Sequence, residues 1–245
     1  MIQTLNFNQQ TDIAASAIPS YFKGLLLYNS SEPLLSQGHI VPSVIDAYNA
    51  LLQLGISMFL WDIRRWEELK DESKVMARAI EKVIKSKDNP RRDPAQEITH
   101  KTVGDFLELR EKSHSFLKPF SQAFSNLKSM RNFVHYAPRF RKEKTFFLFD
   151  TCEYTPSQLK SYLQEYINQK DLYFDLYYKF IQSIDRNQPI FLHFKEHEEL
   201  FLYSSNGLAP YYCTHTQRDA RLQHIKTIKY VPVKMRNCLC SNVKA

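Results

Sequence analysis

Glycine is scarce in this chain, with 5 among 245 residues. None stands in a GxGxxG or GxxxxGK[ST] arrangement. The tight backbone cradles that hold dinucleotides and nucleoside triphosphates need such glycines, so those cofactor classes are excluded and no cofactor is expected. Cysteine is equally thin, at four. That number suits reduced thiols better than a disulfide framework. The opening Met1-Ile2-Gln3-Thr4-Leu5-Asn6 lacks the basic and apolar regions of a secretory signal, and no uncharged apolar run approaches the ~18 residues of a membrane span. The expected setting is cytoplasmic, with no membrane partner. There is no GxSxG elbow, and Cys152 has no recognisable His motif beside it, so serine- and thiol-hydrolase chemistry finds no support.

What the chain does contain is an ordinary apolar fraction, 43%, and a surplus of positive charge, +7 with a pI near 9.1. The first is enough for a globular core, and the second favours polyanionic partners, nucleic acid foremost. Residues 1–41 mix Pro19, Pro33, Gly24 and Gly38 with many Ser and Asn. They read as an irregular N-terminal arm with room for a short helix near Ile13 to Tyr21. Residues 42–186 read as a helical bundle, and residues 187–245 as a strand-rich C-terminal subdomain. The expected class is mainly α, a helical bundle with a small antiparallel β subdomain, α+β overall.

Ser43-Val44-Ile45-Asp46 has the form of a helix start, a hydroxyl cap followed by an acid in the first turn. From there Val44, Tyr48, Leu51, Leu52, Ile56, Phe59, Ile63 and Trp66 recur at steps of three and four, one apolar stripe reaching about residue 69. Gly55 within it points to close helix approach, and Trp61 and Trp66 to core packing. Val75, Met76, Ala79, Ile80, Val83 and Ile84 form a shorter stripe that ends before a loop over 86–94, bounded by Pro90 and Pro94. Phe106, Leu109, Phe116, Phe120, Leu127, Met130 and Val134 keep helical spacing from 95 to 136. Pro119 should break that run, leaving 120–136 as a separate rod.

Thr155-Pro156-Ser157-Gln158 combines an N-cap, a proline at the first helical position and a glutamine at the third. It predicts a long helix through about residue 185, with its tyrosines serving the core rather than stacking on bases. After Pro189 the period changes. Thr145 to Phe149, Ile190 to Phe194, Leu200 to Ser204, Tyr211 to Thr216 and Lys226 to Val233 read as strands, with Asn206-Gly207 as a turn.

The stretch with most chemistry is Arg131-Asn132-Phe133-Val134-His135, followed by the basic run Arg139, Arg141, Lys142 and Lys144. On a helix Arg131 and His135 stand one turn apart and share a face. A guanidinium forks onto phosphate, and an imidazole moves protons near neutral pH. Arg131-Asn132-x-x-His135 resembles the Arg-polar-x-His signature of the HEPN superfamily, helical-bundle proteins many of which are metal-independent ribonucleases in toxin–antitoxin and antiviral systems. The resemblance extends over about residues 43 to 184, and the motif carries it. It implies that Arg131 holds the scissile phosphate, Asn132 positions it and His135 acts as general acid or base for attack by the RNA 2′-hydroxyl, giving a cyclic phosphate. It also implies RNA as substrate, a homodimer in which two motifs face each other, and a protein partner such as an antitoxin. Arg139, Arg141, Lys142 and Lys144 would hold flanking phosphates, binding that weakens as salt rises.

Three further Arg–His pairs have comparable spacing: Arg110 with His114, Arg186 with His193, and Arg218 with His224. The first reads as a surface pair on the preceding rod. Arg186-Asn187 is the rival to Arg131, but Pro189 and the apolar run behind it place His193 beyond a helix end. His193 and His197 lack the HExxH pattern, because Phe194 follows the first histidine. Cys213, His215, Cys238 and Cys240 fall two apart within each pair. On strands that would put each pair on one face, in a spacing unusual for zinc. No metal is assigned. The family pattern usually leaves about four to six residues between its Arg and His, whereas three intervene here. That shortfall supports a second reading, a non-catalytic helical module that binds RNA or protein.

Overall fold

The computed structural model describes Ile13 and residues 16–87, 94–135 and 155–184. The described part is 93% helical, with eight α-helices and no strand among the described residues. The chain is therefore mainly α. The strand-rich reading of 187–245 falls outside the described residues.

Helix α1, Ala17–Ser36, corrects the expected irregular arm. Pro19 lies in the first turn, where an amide has no intrahelical partner to lose, whereas Pro33 lies inside the helix near its end, forgoes one backbone bond there and does not stop it before Ser36. Gly24 faces the next helix so closely that an added Cβ would stand 3.0 Å from the Ala50 carbonyl oxygen. A tight turn follows, with Gly38 at φ 83°, and α2 runs back antiparallel over Ile40–Trp61.

Helix α2 starts three residues before the expected cap. Ser43 and Asp46 lie inside it and face α1: Ser43 Oγ donates to the Ser31 carbonyl at 2.6 Å, and Ser30 Oγ donates to Asp46 Oδ2 at 2.5 Å. At the other end Ser57 Oγ donates to the Ala17 carbonyl at 2.8 Å. Hydroxyls thus link the two helices near both ends, and the fully buried Ser43 finds its partner across the interface.

By length and composition α2 is the one helix among the described residues apolar enough to cross a membrane, yet 72% of its most apolar window is buried inside the protein. Five other helices pack around it. Its axis ends at Trp61, and a 3-10 turn over Asp62–Arg65 redirects the chain into α3, Trp66–Glu72. The expected stripe to residue 69 is thus preserved in its packing but bent in its path. Trp66 folds back, stacks on Phe59 at 5.2 Å between ring centres and donates Nε1–H to the Phe59 carbonyl at 3.0 Å. The core role expected for both tryptophans is met.

Helix α4, Lys74–Lys87, begins behind Ser73, whose Oγ accepts from the Val75 amide at 3.2 Å. It buries Met76, Ala79, Ile80 and Val83 and runs on through Ser86 to Lys87, and most of the loop expected over 86–94 lies outside the described residues. Helix α5, His100–Ser113, is capped by Thr99, whose Oγ1 accepts from the Thr102 amide at 3.2 Å. His114 and a 3-10 turn over Ser115–Leu117 separate it from α6, Lys118–His135. The break expected at Pro119 lies a few residues earlier, at His114–Leu117, and Pro119 sits in the first turn of the new rod, where its missing amide hydrogen costs no intrahelical bond.

Helix α7, Pro156–Asn168, carries a complete capping box: Thr155 Oγ1 accepts from the Gln158 amide, and Gln158 Oε1 accepts from the Thr155 amide at 2.9 Å. The single long helix expected to 185 is instead two. Gln169 interrupts it, and α8 follows over Lys170–Ile184. The Tyr166 carbonyl, released at this corner, accepts from the Tyr28 hydroxyl, and Lys170 Nζ donates to Asn29 Oδ1. Tyr173 and Tyr177 are fully buried, so these tyrosines serve the core.

Candidate functional site

Helices α5 and α6 form an antiparallel hairpin. Gly104 on α5 lies opposite Phe124 on α6, with 3.8 Å from a Cβ at Gly104 to the ring. Lys128 and Arg131 on α6 are among the charges that act on His100 at the start of α5. Helix α2 closes the third side, because Tyr48 stacks on Phe124 at 5.6 Å between ring centres. Arg131 therefore stands at a junction of three helices. Its guanidinium carbon lies 5.6 Å from the centre of the Tyr48 ring, and Nη1 donates to Asn132 Oδ1 at 3.1 Å. A cation over an aromatic face gains about 0.5–1 kcal/mol at a partly exposed site, and it keeps the fork at a defined height above the helix.

His100 is the residue that sequence reasoning missed. It is exposed, in the first turn of α5. Partial burial holds its imidazole below the usual range, and the positive charges of Lys128 and Arg131 lower it further. The ring is therefore neutral at physiological pH. Nothing local marks it, since its partners lie about thirty residues away, across a hairpin whose register only the fold sets.

Helix α6 continues to His135, so the expectation that Arg131 and His135 stand one helical turn apart holds for the backbone. The His135 side chain is outside the described part. Lys128, Arg131 and His135, at steps of three and four, occupy one face of α6. Arg139, Arg141, Lys142 and Lys144 lie outside the described residues, as do Arg186, His193, His197, Arg218, His224, Cys213, His215, Cys238 and Cys240. Among the described residues no three His, Cys, Asp or Glu come together as a metal site.

The pair expected at the surface, Arg110 with His114, is corrected. Arg110 is 4% exposed and Asp62 is fully buried. Arg110 Nε donates to Asp62 Oδ2 at 2.5 Å, and Nη1 lies 3.7 Å from Glu68. Arg65 Nε stands 3.9 Å from the other Asp62 oxygen. Burial outweighs these attractions and raises the Asp62 carboxyl to about 6. His114 is turned to structural use. Nδ1 pairs with Ser113 Oγ at 2.9 Å, and the ring meets Phe116 and Phe180 edge-on. Burial and the charges of Arg65 and Arg110 keep it below the ordinary imidazole range. The buried carboxylate comes from the 3-10 turn after α2, 48 residues from Arg110, too far along the chain for local spacing to reveal.

What the junction offers chemically is a held guanidinium, a neighbouring ammonium and a neutral imidazole, groups that bind a phosphodiester and move a proton beside it. Compared with protein-family models, with curated proteins and with solved structures, the chain matches none.

Proposed function

We propose that the protein is a metal-independent endoribonuclease of HEPN type, acting in a toxin–antitoxin or antiviral defence setting in the cytoplasm. Arg131 stabilises the scissile phosphate, Asn132 orients it and His135 transfers a proton, with a 2′,3′-cyclic phosphate as product. One observation carries this reading: Arg131 is fixed by Tyr48 and Asn132 at a three-helix junction that also gathers Lys128 and His100. Arg139, Arg141, Lys142 and Lys144 hold the flanking backbone, a homodimer places two motifs together, and the strand-rich 187–245 serves RNA or an antitoxin-like partner.

The alternative, a non-catalytic helical module that binds RNA or protein, rests on the short interval between Arg131 and His135. Cleavage of total RNA and tRNA by the purified protein in EDTA separates the two. Under the ribonuclease reading, Arg131→Ala and His135→Ala each lower the rate by about 10²–10⁴ while melting stays cooperative. Intact RNA with the wild-type protein would leave the binding module standing, and residues 187–245 would then be the segment whose removal abolishes binding.

A further inference from the structure

We infer that Tyr21 and Tyr178 form a site of oxidative tyrosine–tyrosine cross-linking, at which a small one-electron oxidant such as the carbonate radical ties α1 covalently to α8. The inference stands apart from the ribonuclease reading. The two hydroxyls meet at 2.5 Å, and the ring centres lie 6.0 Å apart with the planes at 51°. Tyr21 belongs to α1 and Tyr178 to α8, 157 positions further along the chain. Only the fold brings them together.

Tyr177 completes a triangle of phenol rings, its centre 5.0 Å from that of Tyr21 and 5.6 Å from that of Tyr178. Rings this close exchange an electron readily, so a radical formed on one of them is shared among all. Tyr178 is half-buried and meets solvent, whereas Tyr21 and Tyr177 are fully buried. The exposed edge of Tyr178 is therefore where a diffusible oxidant takes its electron. Hydroxyl partners then decide which rings couple. Ser57 Oγ spends its proton on the Ala17 carbonyl, so the Tyr177 hydroxyl donates to Ser57 at 2.8 Å while it accepts from Trp61 Nε1 at 2.9 Å. That hydroxyl is engaged with α2. The hydroxyls of Tyr21 and Tyr178 are engaged with each other, which brings the ring carbons ortho to them to the same contact.

Coupling takes two oxidising equivalents. Each phenol gives one electron to an oxidant and one proton to water, leaving a phenoxyl radical with spin on the carbons ortho to oxygen. One such carbon of Tyr21 and one of Tyr178 then form a carbon–carbon bond. Each bonded carbon loses its hydrogen as a proton while its own phenolic oxygen regains one, and both rings are aromatic again. In total two electrons go to two molecules of oxidant, and two protons go to water. Because the fold holds both partners at contact, the step is intramolecular and outruns collision with a second chain.

The test is photo-oxidation of the dilute full chain by a tris(bipyridyl)ruthenium complex with persulfate, under conditions that dimerise free tyrosine. Trypsin should then release residues 1–23 joined to residues 171–179, lighter by two hydrogens than their sum, with fragmentation placing the bond at Tyr21 and Tyr178. Tyr21→Phe and Tyr178→Phe keep their rings, should melt cooperatively, and should each lose the linked species. Tyr177→Phe should retain it. In denaturing urea the wild type should lose it too, because residues 157 positions apart then seldom meet. Oxidised protein without this link, a link made through Tyr177, a link that survives in either of the first two variants, or an equal yield in urea would each overturn the inference.

Discussion

Asp62 and Arg110 form a pair whose two halves depend on each other. Each is buried, and each keeps one atom, Asp62 Oδ1 and Arg110 Nη2, without a hydrogen bond among the described residues. Removing either partner alone strands the other charge, so Arg110→Met or Asp62→Leu should each cost about 3–5 kcal/mol in urea unfolding, whereas the double variant should recover most of it. Desolvation also fixes the sign of the pH effect. The folded carboxyl is raised from 3.8 to about 6, so the folded state binds its proton more tightly than the unfolded chain does. The stability contributed is full below about pH 4 and is lost as pH rises through about 6. Asp62→Asn should therefore flatten the fall in stability that the wild type shows between those values, and an unchanged slope would count against a raised carboxyl.

Among the elements, α2 and α5 meet where Gly55 removes the side chain that would keep them apart. A Cβ at Gly55 would come within 2.3 Å of Val103 Cγ1, closer than packed atoms stand. Gly55→Ala should cost about 1–3 kcal/mol by overpacking, despite the better helix propensity of alanine. Val103→Ala in the same chain should relieve part of that cost, giving a favourable coupling in the double-mutant cycle. Additive losses would mean that the two helices approach elsewhere.

Much at this level is legible in the sequence, because helix periodicity and caps are local. The stripes around Tyr48, Met76, Phe106 and Leu127, the fresh helix start beside Pro119 and the box at Thr155 all need only neighbours within a few residues. Misread elements share a different cause. Ser43 and Asp46 look like a cap but serve partners on α1. Pro19 and Gly24 look like breakers but fall in a first turn and against a bare backbone, and Pro33 is carried inside the helix close to its end. The corner at Gln169 has no proline or glycine to announce it. Of the candidate site, Arg131, Asn132 and the helix that carries His135 were visible as a motif, while Tyr48, His100 and Lys128 were not, since a hairpin register and a third helix bring them there.

At the scale of the whole molecule, the two ends of the described chain close the core together. Trp61 Nε1 and Ser57 Oγ both bond the Tyr177 hydroxyl, at 2.9 and 2.8 Å. Tyr21 and Tyr178 meet hydroxyl to hydroxyl at 2.5 Å. A chain truncated after residue 154 would leave Trp61, Tyr28 and one flank of α2 without cover. It should retain far-UV helix signal but lose near-UV dichroism and the cooperative melt, and it should bind a hydrophobic dye. A sharp transition in that fragment would show that α7 and α8 are an addition to an already complete bundle.

The bonds from Tyr177 to Trp61 and Ser57 span 116 and 120 positions of the chain. A ribosome adding about 5–20 residues per second needs roughly 6–24 s to travel between them. Throughout that interval α2, the one described helix long and apolar enough to cross a membrane, lacks the cover that Tyr177 and its neighbours supply. The last helices thus decide when the core helix is fully covered, and any pause in decoding before Thr155 lengthens the time during which its apolar surface is open.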